Sequence, residues 1–473
     1  MLANEGRGIP RRSFLWLALC GLGLAVPTAI GGTSARAEGG VGGAPARPNI
    51  VVILADDERF DSMGQMPNVR RLIGAHGVTF SNAFVTTSEC CPSRASILTG
   101  QYSHHTGVIQ NFGPNSYPKF NERSNLAVWL HRAGYDTALV GKYLNDYTVY
   151  GHHHIPPGWD DWITMDSIPV EKYYDYTLNE NGRLVHYGTA IKDYSTDVLT
   201  AKAVDFVRSA KKPFFLYFTP ITPHLPALPA ARDLSTPLTL SKPRPNFDER
   251  DISDKPWRSL YKRLYSPLAL AYLDRDVEGR QLRSLRDLDR QVAVLMGALK
   301  KKDVLDNTIV MYASDNGFLW GEHRLGGKIW PYDESIRVPL LIRVPWQSAW
   351  GRVDKHMALN IDFASTISEL AGVKPGLPQD GASLVPLLHG ASPAWRHDFV
   401  AEYLGASQFE NGGPPPFQAL RGTRWVYVEY TNGWRELYDL RHDPYELQNL
   451  AAKPGYAALE QTLAQRLHTL AAR

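Results

Sequence analysis

The sequence predicts an α/β fold around a largely parallel sheet. Continuous apolar runs of strand length recur at 49–55, 137–140, 214–218, 309–313 and 338–342. Helix-patterned segments lie between them, most clearly at 125–133, 195–210 and 284–300. Polar residues gather just past the runs: Asp56 and Asp57 after the first, Lys142 after the second, His224 after the third, Asp315 and Asn316 after the fourth. A strand covered on both faces reads as an unbroken apolar run, and strands alternating with helices give a parallel sheet. Sites in open α/β sheets form outside the carboxyl ends of the strands. The polar residues after four distant runs are therefore expected to meet in one crevice.

Residues 1–37 stand apart from this pattern. An Arg11-Arg12 pair precedes Ser13-Phe14-Leu15, an apolar stretch to Ile30, and Ala35-Arg36-Ala37. This reads as a twin-arginine export signal, which predicts a periplasmic or extracellular protein. The alternative, a stable membrane anchor, is disfavoured because the stretch is short and holds Gly21, Gly23 and Pro27. Residues 38–47 form a Gly/Ala-rich lead-in, and the main domain is read over 48–375. Within it, 227–258 is rich in Pro and charge and reads as a long surface loop. The segments 420–430 and 436–440 read as short antiparallel strands around a Thr431-Asn432-Gly433 turn, and 455–471 as an amphipathic helix. Residues 376–473 are thus expected to form a C-terminal subdomain with a small antiparallel sheet.

Composition narrows the function. The chain has 473 residues, 44% hydrophobic and 21% charged, which suits a large core and excludes collagen, coiled coil and disorder. There are 51 basic and 48 acidic residues; residues 1–37 carry four of the arginines and one glutamate, so the remainder is neutral. With no Lys/Arg run, nucleic acid is excluded as a partner. Of three cysteines, Cys20 lies in the signal, and Cys90 and Cys91 are adjacent. Adjacent cysteines form strained disulfides, so no structural disulfide is expected.

Those two cysteines open Cys90-Cys91-Pro92-Ser93-Arg94-Ala95-Ser96-Ile97-Leu98-Thr99-Gly100. Pro92 and Gly100 bracket a short helix. A helix N-terminus favours a bound anion and a low-pKa nucleophile, with Arg94 pointing back toward the same anion. The residues alone also allow a buried cysteine pair on a packed helix.

Cys90-x-Pro92-Ser93-Arg94 followed by Leu98-Thr99-Gly100 resembles the signature of the type I, formylglycine-dependent sulfatases. The resemblance runs from about residue 48 to about 450. It implies an alkaline-phosphatase-like fold: a large mixed sheet flanked by helices, with a small C-terminal antiparallel sheet. It implies that a formylglycine-generating enzyme oxidises Cys90 to formylglycine. One hydroxyl of the hydrated aldehyde would attack sulfur; the second would expel sulfate and restore the aldehyde. It further implies that Asp56, Asp57, Asp315, Asn316 and modified Cys90 bind Ca²⁺, with Mg²⁺ the alternative. An oxygen donor set suits such hard cations. Lys142 and Lys328 match lysines that clamp the sulfate, and His224 matches the histidine beside the leaving oxygen, the candidate general acid. His104 and His105 are expected to line the same pocket; His152-His153-His154 is expected on a surface loop.

One position departs from the family pattern. Many sulfatases have Gly-Lys-Trp-His, whose histidine assists elimination, and Leu144 stands in its place here. The stretch Gly141-Lys142-Tyr143-Leu144-Asn145 is similar to N-acetylglucosamine-6-sulfatases and heparan endosulfatases, as are Ile155-Pro156-Pro157-Gly158-Trp159 and Tyr173-Tyr174-Asp175-Tyr176-Thr177-Leu178-Asn179. Asp443-Pro444-Tyr445-Glu446-Leu447-Gln448-Asn449-Leu450 resembles the family's C-terminal motif. The implied activity is hydrolysis of sulfate monoesters of sugars such as 6-sulfated glucosamine. Two rivals are a phosphonate or phosphate ester hydrolase sharing the site, and a non-catalytic binder of sulfated glycans that keeps Cys90 unmodified.

Overall fold

A computed structural model describes residues 47–473, apart from 167–171, 239, 241–243, 260–262 and 407–412. The export signal read over 1–37 lies outside the described residues. Ten strands form the main sheet. They are β1 (Asn49–Ala55), β2 (Gly77–Phe84), β3 (Asp136–Gly141), β4 (Asp161–Met165), β5 (Tyr176–Glu180), β6 (Arg183–Tyr187), β7 (Phe214–Thr219), β8 (Thr308–Ser314), β11 (Leu340–Arg343) and β12 (Arg352–Leu359). A short ladder of β9 (Leu319–Trp320) and β10 (Gly326–Gly327) lies outside it. The order across the sheet is β12-β2-β11-β8-β1-β7-β3-β4-β5-β6.

The parallel centre comes from the apolar runs. β1 pairs in parallel with both β7 and β8, and β3 with β7 and β4. Alternate residues of β1 enter different cores: Ile50, Val52 and Leu54 one, Val51, Ile53 and Ala55 the other. Both faces are thus buried, which is why the run is continuous rather than alternating. The helices Ser195–Ser209 and Gly279–Lys301 cover the second face, with Leu199, Val207, Leu288 and Leu295 in its core.

The edges make the sheet mixed. β11 is antiparallel to both β8 and β2, and β4, β5 and β6 form an antiparallel meander. The run read at 338–342 begins as a strand only at Leu340, because Pro339 has no N–H to give a ladder.

The C-terminal sheet is β13 (Asp398–Tyr403), β14 (Phe417–Gly422), β15 (Trp425–Tyr430) and β16 (Arg435–Asp439), all antiparallel. The stretch read as one strand over 420–430 is two, turned at Thr423-Arg424. Val400, Leu420, Tyr427 and Leu437 pack under Leu467 of the helix Ala457–Ala471. The opposite face, with Phe399, Ala401, Ala419 and Val428, joins the core beneath the main sheet. Among the described residues no helix is long and apolar enough to cross a membrane.

The segment 227–258 is not a surface loop throughout. Asn246, Glu249, Lys255 and Trp257 are buried. His323 Nδ1 lies 2.6 Å from Glu249 Oε2, and the Asn246 amide nitrogen lies 3.2 Å from His323 Nε2 and 3.1 Å from Glu334 Oε1. These polar groups pair with one another inside the protein, so charge in the sequence does not mark exposure here.

Candidate active site

Four adjacent strands, β8, β1, β7 and β3, deliver the expected residues from their carboxyl ends. Asp56 and Asp57 follow β1, Asp315 and Asn316 follow β8, Lys142 follows β3 and His224 lies beyond β7. Cys90 arrives from another direction, as the first residue of the helix Cys90–Thr99. That helix ends at Gly100, whose φ of 75° is the left-handed conformation glycine adopts without strain.

The side chains converge. Cys90 Sγ lies 3.5 Å from Asp56 Oδ1, 4.0 Å from Asp57 Oδ1 and 2.7 Å from Lys328 Nζ. Lys328 also hydrogen-bonds Asp57. Lys142 Nζ lies 2.7 Å from Asp56 Oδ2. The Asn316 amide donates to Asp57 Oδ1 at 2.7 Å, and the Asp57 backbone N–H donates to Asp315 Oδ1 at 3.1 Å. His224 Nε2 lies 3.7 Å from Asp57 Oδ2, while Nδ1 is held 2.6 Å from the Leu225 carbonyl. That second contact places the proton on Nδ1 of the neutral ring and turns Nε2 to the cluster. Asp57 itself sits at φ 70°, a left-handed conformation that aspartate tolerates and that recurs at functional sites.

Arg94 points at the carboxylates of the cluster. It is fully buried, with Nε donating to Asp315 Oδ2 at 2.8 Å, Nη1 to the Lys142 carbonyl at 2.8 Å, and Nη2 3.6 Å from Asp56 Oδ2. One helical turn beyond Cys90, it lies under the carboxylates and holds them. Burial works against the low-pKa thiol that a helix N-terminus favours. Burial pushes the Cys90 thiol well above its ordinary range, outweighing Lys142 and Lys328.

Electrostatics divide the carboxylates. Burial opposes ionisation of Asp56, but Lys142, His224, Arg94 and Lys328 together hold it well below the usual range. Asp315 is raised, first by burial and then by the charge of Asp56. Asn316 Oδ1 is buried with no hydrogen-bond partner, an orphaned acceptor among carboxylate oxygens. Such a set of hard oxygen donors fits a divalent cation of the Ca²⁺ or Mg²⁺ kind.

Other expectations fare differently. His104 Nδ1 lies 2.9 Å from Glu402 and His105 Nδ1 2.7 Å from Asp380, so these rings are engaged by carboxylates outside the cluster. His152, His153 and His154 lie on a loop, paired with Asp166, the Gly182 carbonyl and Glu122 respectively. Leu144 is buried and supplies no proton-transfer group. Residue-type reasoning passed over Glu89, whose signal was its position directly before Cys90. It is the N-cap of the Cys90 helix and only 9% exposed; burial pushes its carboxyl up to about 7. A second group, His323, Glu334 and Glu446, gathers where Gly321–Lys328 meets the Asp443–Leu450 motif. The Asn246 amide already bridges His323 and Glu334 there, which makes it a structural network.

Buried carboxylates beside two lysines and a histidine, at the carboxyl ends of an α/β sheet, suit a hydrolase of anionic esters that works with a bound cation. The comparisons give the family. A sulfatase family model matches residues 48–373, and one described as N-sulphoglucosamine sulphohydrolase, C-terminal, matches 321–473. The human N-acetylglucosamine-6-sulfatase is 36% identical over 386 residues, covering 77% of this chain and 69% of the relative. An arylsulfatase of Volvox carteri is 34% identical, covering 93% and 75%. A solved structure described as in complex with its substrate D-glucosamine-2-N,6-O-disulfate superposes with a TM-score of 0.74 at 27% identity, covering 89% and 97%. The phosphonate monoester hydrolase of Agrobacterium radiobacter has a TM-score of 0.73 at 23% identity and shares the fold. The chain belongs to the sulfatase family, with its alkaline-phosphatase-like fold, and is a sulfuric ester hydrolase.

Proposed function

We propose that this sulfatase removes sulfate from a sulfated sugar, with 6-O-sulfated glucosamine as the preferred unit, and that Cys90 is its nucleophile after oxidation to formylglycine. The observation that carries the reading is the convergence of Asp56, Asp57 and Lys328 on Cys90 Sγ. The sulfur stands where a hydroxyl of the hydrated aldehyde would stand. Asp56, Asp57, Asp315 and Asn316 are the residues to hold Ca²⁺ beside it. When bound, the cation supplies a Lewis acid for a sulfate oxygen, and formylglycine supplies a gem-diol nucleophile.

The chain's own residues do the rest. Lys142 and Lys328 neutralise the sulfate. Arg94 fixes Asp56 and Asp315 from below. His224 faces the cluster with Nε2 and, when it is the imidazolium with a proton on both nitrogens, gives the Nε2 proton to the leaving oxygen and returns to the neutral ring with its proton on Nδ1. Similarity to glucosamine-6-sulfatases supports the sugar. The test is a panel of defined 6-O-sulfated glucosamine, other sulfated sugars, an aryl phosphate and an aryl phosphonate. The sulfated glucosamine is expected to show the highest kcat/KM; a higher value for the phosphonate would overturn the reading.

His224→Ala separates the proton-transfer role from simple binding. A sugar alcohol is a poor leaving group and needs the proton; a nitrophenolate needs it less. Turnover of the sugar sulfate is expected to fall roughly 10²- to 10⁴-fold, with a much smaller loss on nitrophenyl sulfate. Equal losses on both would remove His224 from that role.

A further inference from the structure

We infer that Glu89 is a specificity residue that accepts a hydrogen bond from a hydroxyl of the sugar next to the scissile sulfate, an inference that rests on the sugar-sulfatase reading above. Glu89 occupies the N-cap of the Cys90 helix in an extended conformation, yet its side chain makes no capping bond. One carboxylate oxygen, Oε1, accepts the Asn111 backbone N–H at 3.2 Å. The other, Oε2, is buried with no hydrogen-bond partner. The Ile329 backbone N–H donates to the Ser88 carbonyl at 3.2 Å, which lays the Lys328 segment alongside Ser88 and Glu89. Asn111 in turn fixes the start of the helix, its side-chain oxygen accepting the Cys91 N–H at 2.8 Å. Beyond it, Phe112 is 43% exposed. Glu89 is therefore held next to Cys90 in the chain and against the segment that carries Lys328.

A buried oxygen without a donor is costly, and a carboxylate beside a sulfate site repels the anion it should admit. The first cost vanishes, and the second is offset, if the substrate itself brings a donor to that position. The sulfate offers none. The alcohol it is attached to does when that alcohol is a sugar, whose hydroxyls lie within a few bonds of the ester. An aryl alcohol has no such group. Glu89 thus admits polyhydroxylated leaving groups and disfavours bare aryl ones, by leaving its own oxygen unpaired in the latter case.

The test uses Glu89→Gln, which keeps an oxygen for the Asn111 N–H while removing the charge and turning an NH₂ to the Oε2 position. Glu89→Ala is the second variant, and melting temperatures report whether each folds. The readout is kcat/KM on a 6-O-sulfated glucosamine and on nitrophenyl sulfate. The sugar value is expected to fall roughly 10- to 100-fold, as for loss of a hydrogen bond to a charged group. The aryl value is expected to rise, because the anion no longer meets a carboxylate. Parallel losses on both substrates would mean that Glu89 only props the Asn111 turn, and would overturn the inference, as would no change on either. A parent protein that cleaves neither ester would overturn the function reading and this inference with it.

Discussion

Cys90→Ser is expected to end steady-state turnover, lowering kcat by roughly 10³-fold or more. The reason lies in the chemistry of position 90 rather than its packing. Cys90 is 1% exposed, and serine fits the space with its oxygen near Asp56, Asp57 and Lys328. Serine brings one hydroxyl, whereas hydrated formylglycine brings two. A single hydroxyl can take a sulfo group but has no second oxygen to push it off. The variant should therefore stall as a sulfated serine, visible in intact-peptide mass. Parental turnover by Cys90→Ser would exclude the gem-diol. The same peptide in the unsubstituted protein should show oxidised Cys90. A thiol found there together with no turnover would favour a non-catalytic binder.

Asp315→Ala is expected to cost both cation binding and stability. Asp315 accepts Arg94 Nε at 2.8 Å and the Asp57 N–H at 3.1 Å, so it ties two parts of the cluster together. Three carboxylates, Asp56, Asp57 and Asp315, face three cations, Arg94, Lys142 and Lys328. Removing Asp315 leaves Arg94 buried with Asp56 at 3.6 Å as its nearest acidic partner. Leaving a buried charge with no partner costs roughly 3–5 kcal/mol, and the remaining Asp56 contact keeps the loss below that. Relief of repulsion between Asp315 and Asp56 acts in the other direction, but it does not replace the 2.8 Å bond that Arg94 Nε loses. Calorimetric Ca²⁺ affinity and melting temperature should both fall. Asp315→Asn, which keeps an oxygen toward the cluster, should fall less in both. Unchanged affinity and melting temperature in Asp315→Ala would take Asp315 out of the site.

The strands that carry the site were legible because their burial is symmetrical. Residues 49–55, 137–140, 214–218 and 309–313 are apolar without alternation, and each lies in the parallel centre. The flanking strands were not legible. β2 and β12 have mixed burial along their length, and neither was read as a strand. The direction of β11 was hidden too, since antiparallel pairing with β8 and β2 is set by partners far away in the chain. Local pattern reports which faces are covered; it does not report which strand lies alongside.

The same division holds at the site. The sequence by itself determined the chemistry on offer: hard oxygen donors at Asp56, Asp57, Asp315 and Asn316, cations at Lys142 and Lys328, and Cys90 at a helix start with no disulfide to make. The type of each side chain is local information and survives any fold. Only the tertiary structure decided where each one points. It set Arg94 against the carboxylates, drew His104 and His105 to Glu402 and Asp380, and left Glu89 with a buried oxygen facing no donor. Those outcomes depend on which buried charges must be neutralised by which neighbours, and neighbours up to about 300 residues apart in the chain meet only once the sheet has formed.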